Sequence, residues 1–134
     1  MARSGWSGST LCRSGGLRHE AERISGQVYG HALSCDARDS DSGWAEFDLR
    51  RDYERFRTTV GQADRSEATT RTIRFSVIGD GETLYTTTVG FGQAVDVDVD
   101  VTGVLRLRLD IGVIENSGTS AGTWAVWGDP TVGG

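Results

Sequence analysis

The chain has 134 residues, enough for one domain with a buried core. Hydrophobic residues make up 37% and charged residues 25%, a balance that excludes a disordered chain. With 14 basic against 19 acidic residues the net charge is −5, which excludes the basic face that nucleic acid needs and disfavours docking on an anionic membrane.

No apolar run approaches the roughly 18–20 residues that would span a bilayer as a helix. The opening MARSGWSGST has no apolar stretch of a secretory signal; an extracellular setting is nevertheless the expectation. Every basic residue is Arg, which reads as coding bias and carries no functional weight.

Residues 1–22 are rich in Gly, Ser and Arg and are expected to form an N-terminal arm, with the domain proper at 23–134. Leu17 to Ile24 reads as an extended segment rather than two helical turns, and Ser25-Gly26 ends it. Cys12 and Cys35 allow one disulfide, which would tether the arm to the first strand region. Closing such a loop is worth roughly 3 kcal/mol in the chain-entropy picture. The alternative is two buried free thiols. His19 and His31, with the two cysteines, lack the paired spacing of a zinc site.

From residue 24 the pattern is β. Gln27 to Leu33 reads as a strand, and Asp36 to Gly43 as a polar loop. Trp44-Ala45-Glu46-Phe47-Asp48-Leu49 alternates with period two, so Ala45, Phe47 and Leu49 face a core, and Trp44, Glu46 and Asp48 face away. Tyr53 to Val60 is a further strand, with Phe56, Thr58 and Val60 on one side, and Gln62 to Thr70 is a polar loop. Thr72 to Ile78 and Thr83 to Val89 flank Gly79-Asp80-Gly81-Glu82, a hairpin signature in which Asp80-Gly81 accepts the positive φ of a tight turn.

Ala94 to Val101 alternates valine in, aspartate out. Val104 to Asp110 alternates leucine in, arginine out. Were these two runs neighbours in a sheet, Asp and Arg would meet on the wet face. Glu115 to Gly122 is a Gly/Ser loop, and Thr123 to Trp127 the last strand. About eight short strands without an amphipathic helix make an all-β chain. The expected architecture is an antiparallel β-sandwich of jelly-roll type.

The Asp96/Asp98/Asp100 series is not an EF-hand. Valines occupy the intervening positions, Val101 stands where the loop glycine belongs, and a strand splays the carboxylates about 7 Å apart. No Ser or Cys has a recognisable base motif beside it, and carboxylate pairs such as Glu46/Asp48 occur on any strand. The chain is therefore expected not to be an enzyme. Aromatics say more: a sugar ring stacks on a flat indole while charged groups bond its hydroxyls. Period two sets Trp124 and Trp127 on opposite faces, one in the core, and sets Trp44 opposite the core face. The candidate ligand residues are Trp44 and Trp124 as ring platforms, with Glu46, His31 and Asp129 as polar partners. Alternatively the arm or a loop covers Trp44 and Trp124.

Phe47-Asp48-Leu49, Tyr53-Glu54-Arg55-Phe56 and Thr58-Thr59-Val60-Gly61, in that order, resemble the NPCBM/NEW2 domain family. Ile73-Arg74-Phe75-Ser76-Val77-Ile78-Gly79-Asp80-Gly81 and Val97 to Leu107 continue the resemblance, and Trp127-Gly128-Asp129-Pro130 closes it. Tyr29-Gly30-His31 fits loosely. The resemblance implies a galactose-binding-like jelly roll acting as a non-catalytic carbohydrate-binding module. It implies a galactose- or N-acetylhexosamine-containing partner, loops at one end of the sandwich as the sugar site, and room for a calcium ion. The chain departs from the family at Thr123, Trp124 and Val126, where acidic and imidazole groups are expected. This departure motivates an alternative: a protein-interaction or homo-oligomerising sandwich that has lost the sugar site, with an exposed Trp-centred patch.

Overall fold

The computed structural model describes residues 10–11, 17–37, 42–64, 66, 72–115 and 123–133. They form β1 (Thr10–Leu11), β2 (Leu17–Ile24), β3 (Gln27–Ala37), β4 (Ser42–Asp48) and β5 (Arg55–Gln62). Then follow β6 (Thr72–Gly79), β7 (Glu82–Gly90), β8 (Ala94–Asp100), β9 (Arg106–Glu115) and β10 (Thr123–Gly133). Sheet I runs β1-β4-β9-β6-β7 and sheet II runs β2-β3-β10-β5-β8, with every pairing antiparallel. No helix among the described residues is long and apolar enough to cross a membrane. The expected sandwich is the observed fold.

The period-two runs supply the core. Ala45, Phe47 and Leu49 are buried, as are Phe56, Val60, Phe75, Val97, Val99, Leu107 and Leu109. Trp127 bolts the sheets together. Its ring meets Phe75 of the opposite sheet edge-on at 5.2 Å and Phe56 at 6.5 Å. Burying each such side chain contributes about 1.5–3 kcal/mol. The Asp80-Gly81 turn has φ of 51° and 85°, the all-positive pair that matches the twist of a two-residue hairpin. The Asp80 carboxylate turns back to accept the N–H groups of Leu105 and Arg106, the latter at 2.9 Å.

Leu17–Ile24 is extended, as its sequence suggests, and forms a strand of sheet II that runs across the boundary placed after residue 22. One feature differs from the sequence reading. The alternating runs of β8 and β9 are not neighbours: β8 pairs with β5 in sheet II, and β9 lies between β4 and β6 in sheet I. Alternation specifies which side of a strand is wet, but not which strand lies alongside. The β8 aspartates instead face β5: Asp98 pairs with Arg55 at 2.8 Å and with Arg57 at 3.4 Å, and Asp96 accepts the Thr59 hydroxyl at 3.0 Å.

Sheet II carries a second, smaller core on its outer side. The β2–β3 hairpin curls back so that Ile24 bridges to Ala63, beyond the end of β5. Ile24, Ala32, Ala63 and Val126 are buried together, with Tyr29 and Trp124 packed against them. Two glycines make the seat. A Cβ on Gly61 would lie 2.4 Å from Ile24 Cγ2, and one on Gly128 would lie 2.8 Å from Tyr29 Cγ.

Candidate functional site

The five residues singled out as ligand partners fall in three places. Trp44 and Glu46 lie on β4, on the outer face of sheet I. Trp124 lies at the start of β10, outside sheet II. His31 and Asp129 meet at an irregularity of β10, where the register shifts between Gly128 and Thr131. The Cys12–Cys35 pairing lies outside the described residues.

At the irregularity Asp129 adopts φ 45°, and its carboxylate accepts the His31 backbone N–H at 2.9 Å. The Thr58 hydroxyl donates to the Gly128 carbonyl at 2.8 Å, since the register shift breaks the regular ladder there. This contact engages the backbone of His31, so it fixes a β-bulge-like kink rather than building a receptor from the imidazole.

Trp124 is half-buried in the second core. Its N–H donates to Ser66 Oγ at 2.9 Å, and its carbonyl accepts the Ala63 N–H at 2.9 Å. Val126 is fully buried beside it. Where the family pattern carries acidic and imidazole groups, this chain therefore packs an apolar cluster. Among the described residues no group of three or more His, Cys, Asp or Glu is placed to hold a metal ion.

The outer face of sheet I is different. Register sets Trp44 opposite Asp110, Glu46 opposite Arg108 and Asp48 opposite Arg106. Residues directly opposed across a ladder project to the same side. The Arg108 guanidinium lies over the Trp44 ring, with Cζ 4.6 Å from the centroid. Its Nε–H donates to Asp110 at 2.9 Å, and Arg106 Nη1 donates to Glu46 at 3.2 Å. The face continues across β6 and β7. Asp110 opposes Ser76, whose hydroxyl lies 3.1 Å from that of Thr86, and Gly112 opposes Arg74, itself opposite Thr88.

This arrangement suits a polyhydroxylated ring. The indole gives an apolar plate, and charged groups flank it as bidentate donors and acceptors. Arg108 orients Trp44 by a contact of about 0.5–1 kcal/mol. The sequence pointed to Trp44 and Glu46 by alternation alone. It missed Arg106, Arg108 and Asp110, because only the pairing of β4 with β9 brings them alongside.

Two packed antiparallel five-stranded sheets define an all-β sandwich, and the outer face of one carries an indole among charged side chains. The NPCBM/NEW2 domain model matches residues 2–133, and the chain belongs to that family. No curated protein matches the sequence.

Solved structures share the fold. One is the M60 catalytic domain with the CBM51-1 and CBM51-2 domains from Clostridium perfringens ZmpB (18% identity, TM-score 0.77, 98% of this chain and 14% of that one). Another is CBM51-2 in complex with GlcNAc, with INT domains, from the same protein (19% identity, TM-score 0.72, 95% of this chain and 29% of that one). A third is CBM51 from Clostridium perfringens GH95 in complex with methyl-galactose (19% identity, TM-score 0.69, 95% of this chain and 93% of that one). The chain thus spans less than a third of the first two and nearly all of the third.

Proposed function

We propose that this chain is a non-catalytic carbohydrate-binding module, with a neutral sugar seated on the outer face of sheet I. One observation carries the choice of face: Trp44 stands among Glu46, Arg106, Arg108 and Asp110, with Arg108 over its ring. Family membership supports the function. The methyl-galactose and GlcNAc complexes of the similar modules support a galactose- or N-acetylhexosamine-containing ligand.

Trp44 supplies the stacking plate. Glu46 and Asp110 accept hydroxyl protons, and Arg106 and Arg108 donate. Exposed sites of this kind bind weakly, with Kd on the order of 10⁻⁴ to 10⁻³ M, or about −4 to −5.5 kcal/mol. Calorimetric titration with galactose- and N-acetylhexosamine-containing sugars tests the reading. Heat of binding that is lost in Trp44→Ala supports it; silence across a broad glycan panel overturns it. Turnover of a chromogenic glycoside that disappears with a single carboxylate substitution would overturn the non-catalytic assignment.

The interaction-domain alternative calls for an exposed Trp-centred apolar patch. Among the described residues Val28 is the exposed large hydrophobic, at 50%, while Trp44 and Trp124 are both half-buried. That distribution favours the sugar-binding reading.

A further inference from the structure

On the sugar-binding face of sheet I, we infer that Arg74 anchors a carboxylate borne by an acidic sugar residue, next to the neutral residue seated at Trp44. The inference rests on the proposed sugar-binding reading and names its ligand class more closely.

Three observations carry it. First, the other two arginines of the face are already paired, Arg106 with Glu46 at 3.2 Å and Arg108 with Asp110 at 2.9 Å. Arg74 is exposed and has no carboxylate partner among the described residues. Second, its guanidinium has a built seat. It lies against Gly112, where a Cβ would stand 3.0 Å from Nη2 and 3.7 Å from Cζ. Laid on backbone, a guanidinium keeps its donor fork free at low cost in side-chain entropy, and a planar carboxylate is the ligand that matches that fork bidentately. Third, its exposed neighbours on β7 are hydroxyls: Thr88 directly across the ladder, and Thr86 one same-face step along it. Hydroxyls suit the rest of a sugar ring.

The spacing sets the size of the ligand. Trp44 and Arg74 stand two strands and one same-face step apart, roughly 12 Å between Cα atoms from strand spacings of ~4.8 Å and a rise of ~3.4 Å per residue. That separation calls for a glycan of more than one residue. Electrostatics sets its charge. A chain of net charge −5 repels a polyanion, so a single carboxylate on an otherwise neutral glycan fits better than a densely charged polymer.

The test compares lactose, sialyllactose and sulfated lactose by calorimetry at low salt. The proteins are the wild type, Arg74→Gln and Arg57→Gln. Arg57 lies on the opposite sheet, so its replacement makes the same charge change away from the face. The wild type should bind sialyllactose about three- to tenfold more tightly than lactose. Arg74→Gln should erase that preference while leaving lactose binding and the circular dichroism spectrum unchanged. Arg57→Gln should keep it.

Equal binding of lactose and sialyllactose by the wild type would overturn the inference and leave the sugar-binding reading standing. So would a preference that survives Arg74→Gln or vanishes equally in Arg57→Gln. A preference for sulfated lactose alone would overturn the carboxylate assignment. Binding of none of the three would overturn the inference, and silence over the wider glycan panel would then overturn the sugar-binding reading as well.

Discussion

The Tyr29 ring lies so close to Gly128 that a Cβ added there would stand 2.8 and 2.9 Å from its Cγ and Cδ1. The same Cβ would stand 3.2 Å from the Thr59 carbonyl. Glycine at this position is a matter of room rather than of backbone dihedral. It lets the β2–β3 hairpin settle on sheet II. Gly128→Ala should therefore cost about 1–3 kcal/mol by overpacking. Tyr29→Ala in the same chain should return part of that loss, because the two residues share one contact. Urea midpoints of the single and double variants check both statements; additive losses would show that the crowding lies with Thr59 instead.

Asp64 holds the tip of the same hairpin. Its two carboxylate oxygens accept the N–H groups of Ser25 and Gly26 at 2.8 and 2.9 Å, and its own N–H donates to the Arg23 carbonyl at 2.7 Å. Asp64→Ala removes both acceptors and should cost about 1–2 kcal/mol, as loss of a capping carboxylate does. Faster amide exchange should appear at Ser25 and Gly26, with little change in the main core around Trp127. Exchange rates by NMR are the measurement.

Acid should loosen the β6–β7 turn. Backbone N–H groups of Arg106 and then Leu105 hold the Asp80 carboxyl below its ordinary value of 3.8. The Thr102 hydroxyl and N–H do the same for Asp100. A carboxyl depressed in the folded state contributes stability that is fully present above the unfolded value and is lost as pH falls through the folded one. Both contributions thus persist at neutral pH and are lost progressively as pH falls below the ordinary carboxyl value of 3.8 and through the depressed folded one. Asp80→Asn, which tolerates the positive φ of that turn, should flatten the acid limb of the stability curve. Urea midpoints measured down to about pH 2 would show it; an unchanged slope would assign the acid limb to other carboxylates.

The two half-buried indoles should separate binding from stability. The Arg108 guanidinium lies over the Trp44 ring, and loss of that contact in Trp44→Ala should cost about 0.5–1 kcal/mol of stability while abolishing sugar binding. Trp124 packs against the buried cluster of Ile24, Ala32, Ala63 and Val126, and Trp124→Ala should cost about 2–3 kcal/mol. Sugar affinity should then be nearly unchanged once folding is complete. Thermal melts and titrations of both variants decide; the reverse pattern would move the sugar to the loop end of sheet II.

The sequence by itself determined the strands and their buried sides. Ala45/Phe47/Leu49, Val97/Val99 and Leu107/Leu109 sit inside because a pleated strand sends alternate side chains to opposite faces, and water selects the face. The Asp80-Gly81 turn was equally legible, since few residue pairs accept two positive φ angles in succession. Strand order was not. The aspartates of β8 and the arginines of β9 looked like partners, yet they lie in different sheets. Nor did alternation distinguish Trp44, set among charged groups, from Trp124, folded under a hairpin.

Those outcomes depend on contacts between residues far apart in the chain: Arg108 over Trp44, Arg74 on Gly112, Tyr29 on Gly128. Local pattern says which way a side chain points. Only closing the sheets decides what it meets there, because that choice is made by the packing of whole strands rather than by the preferences of any one.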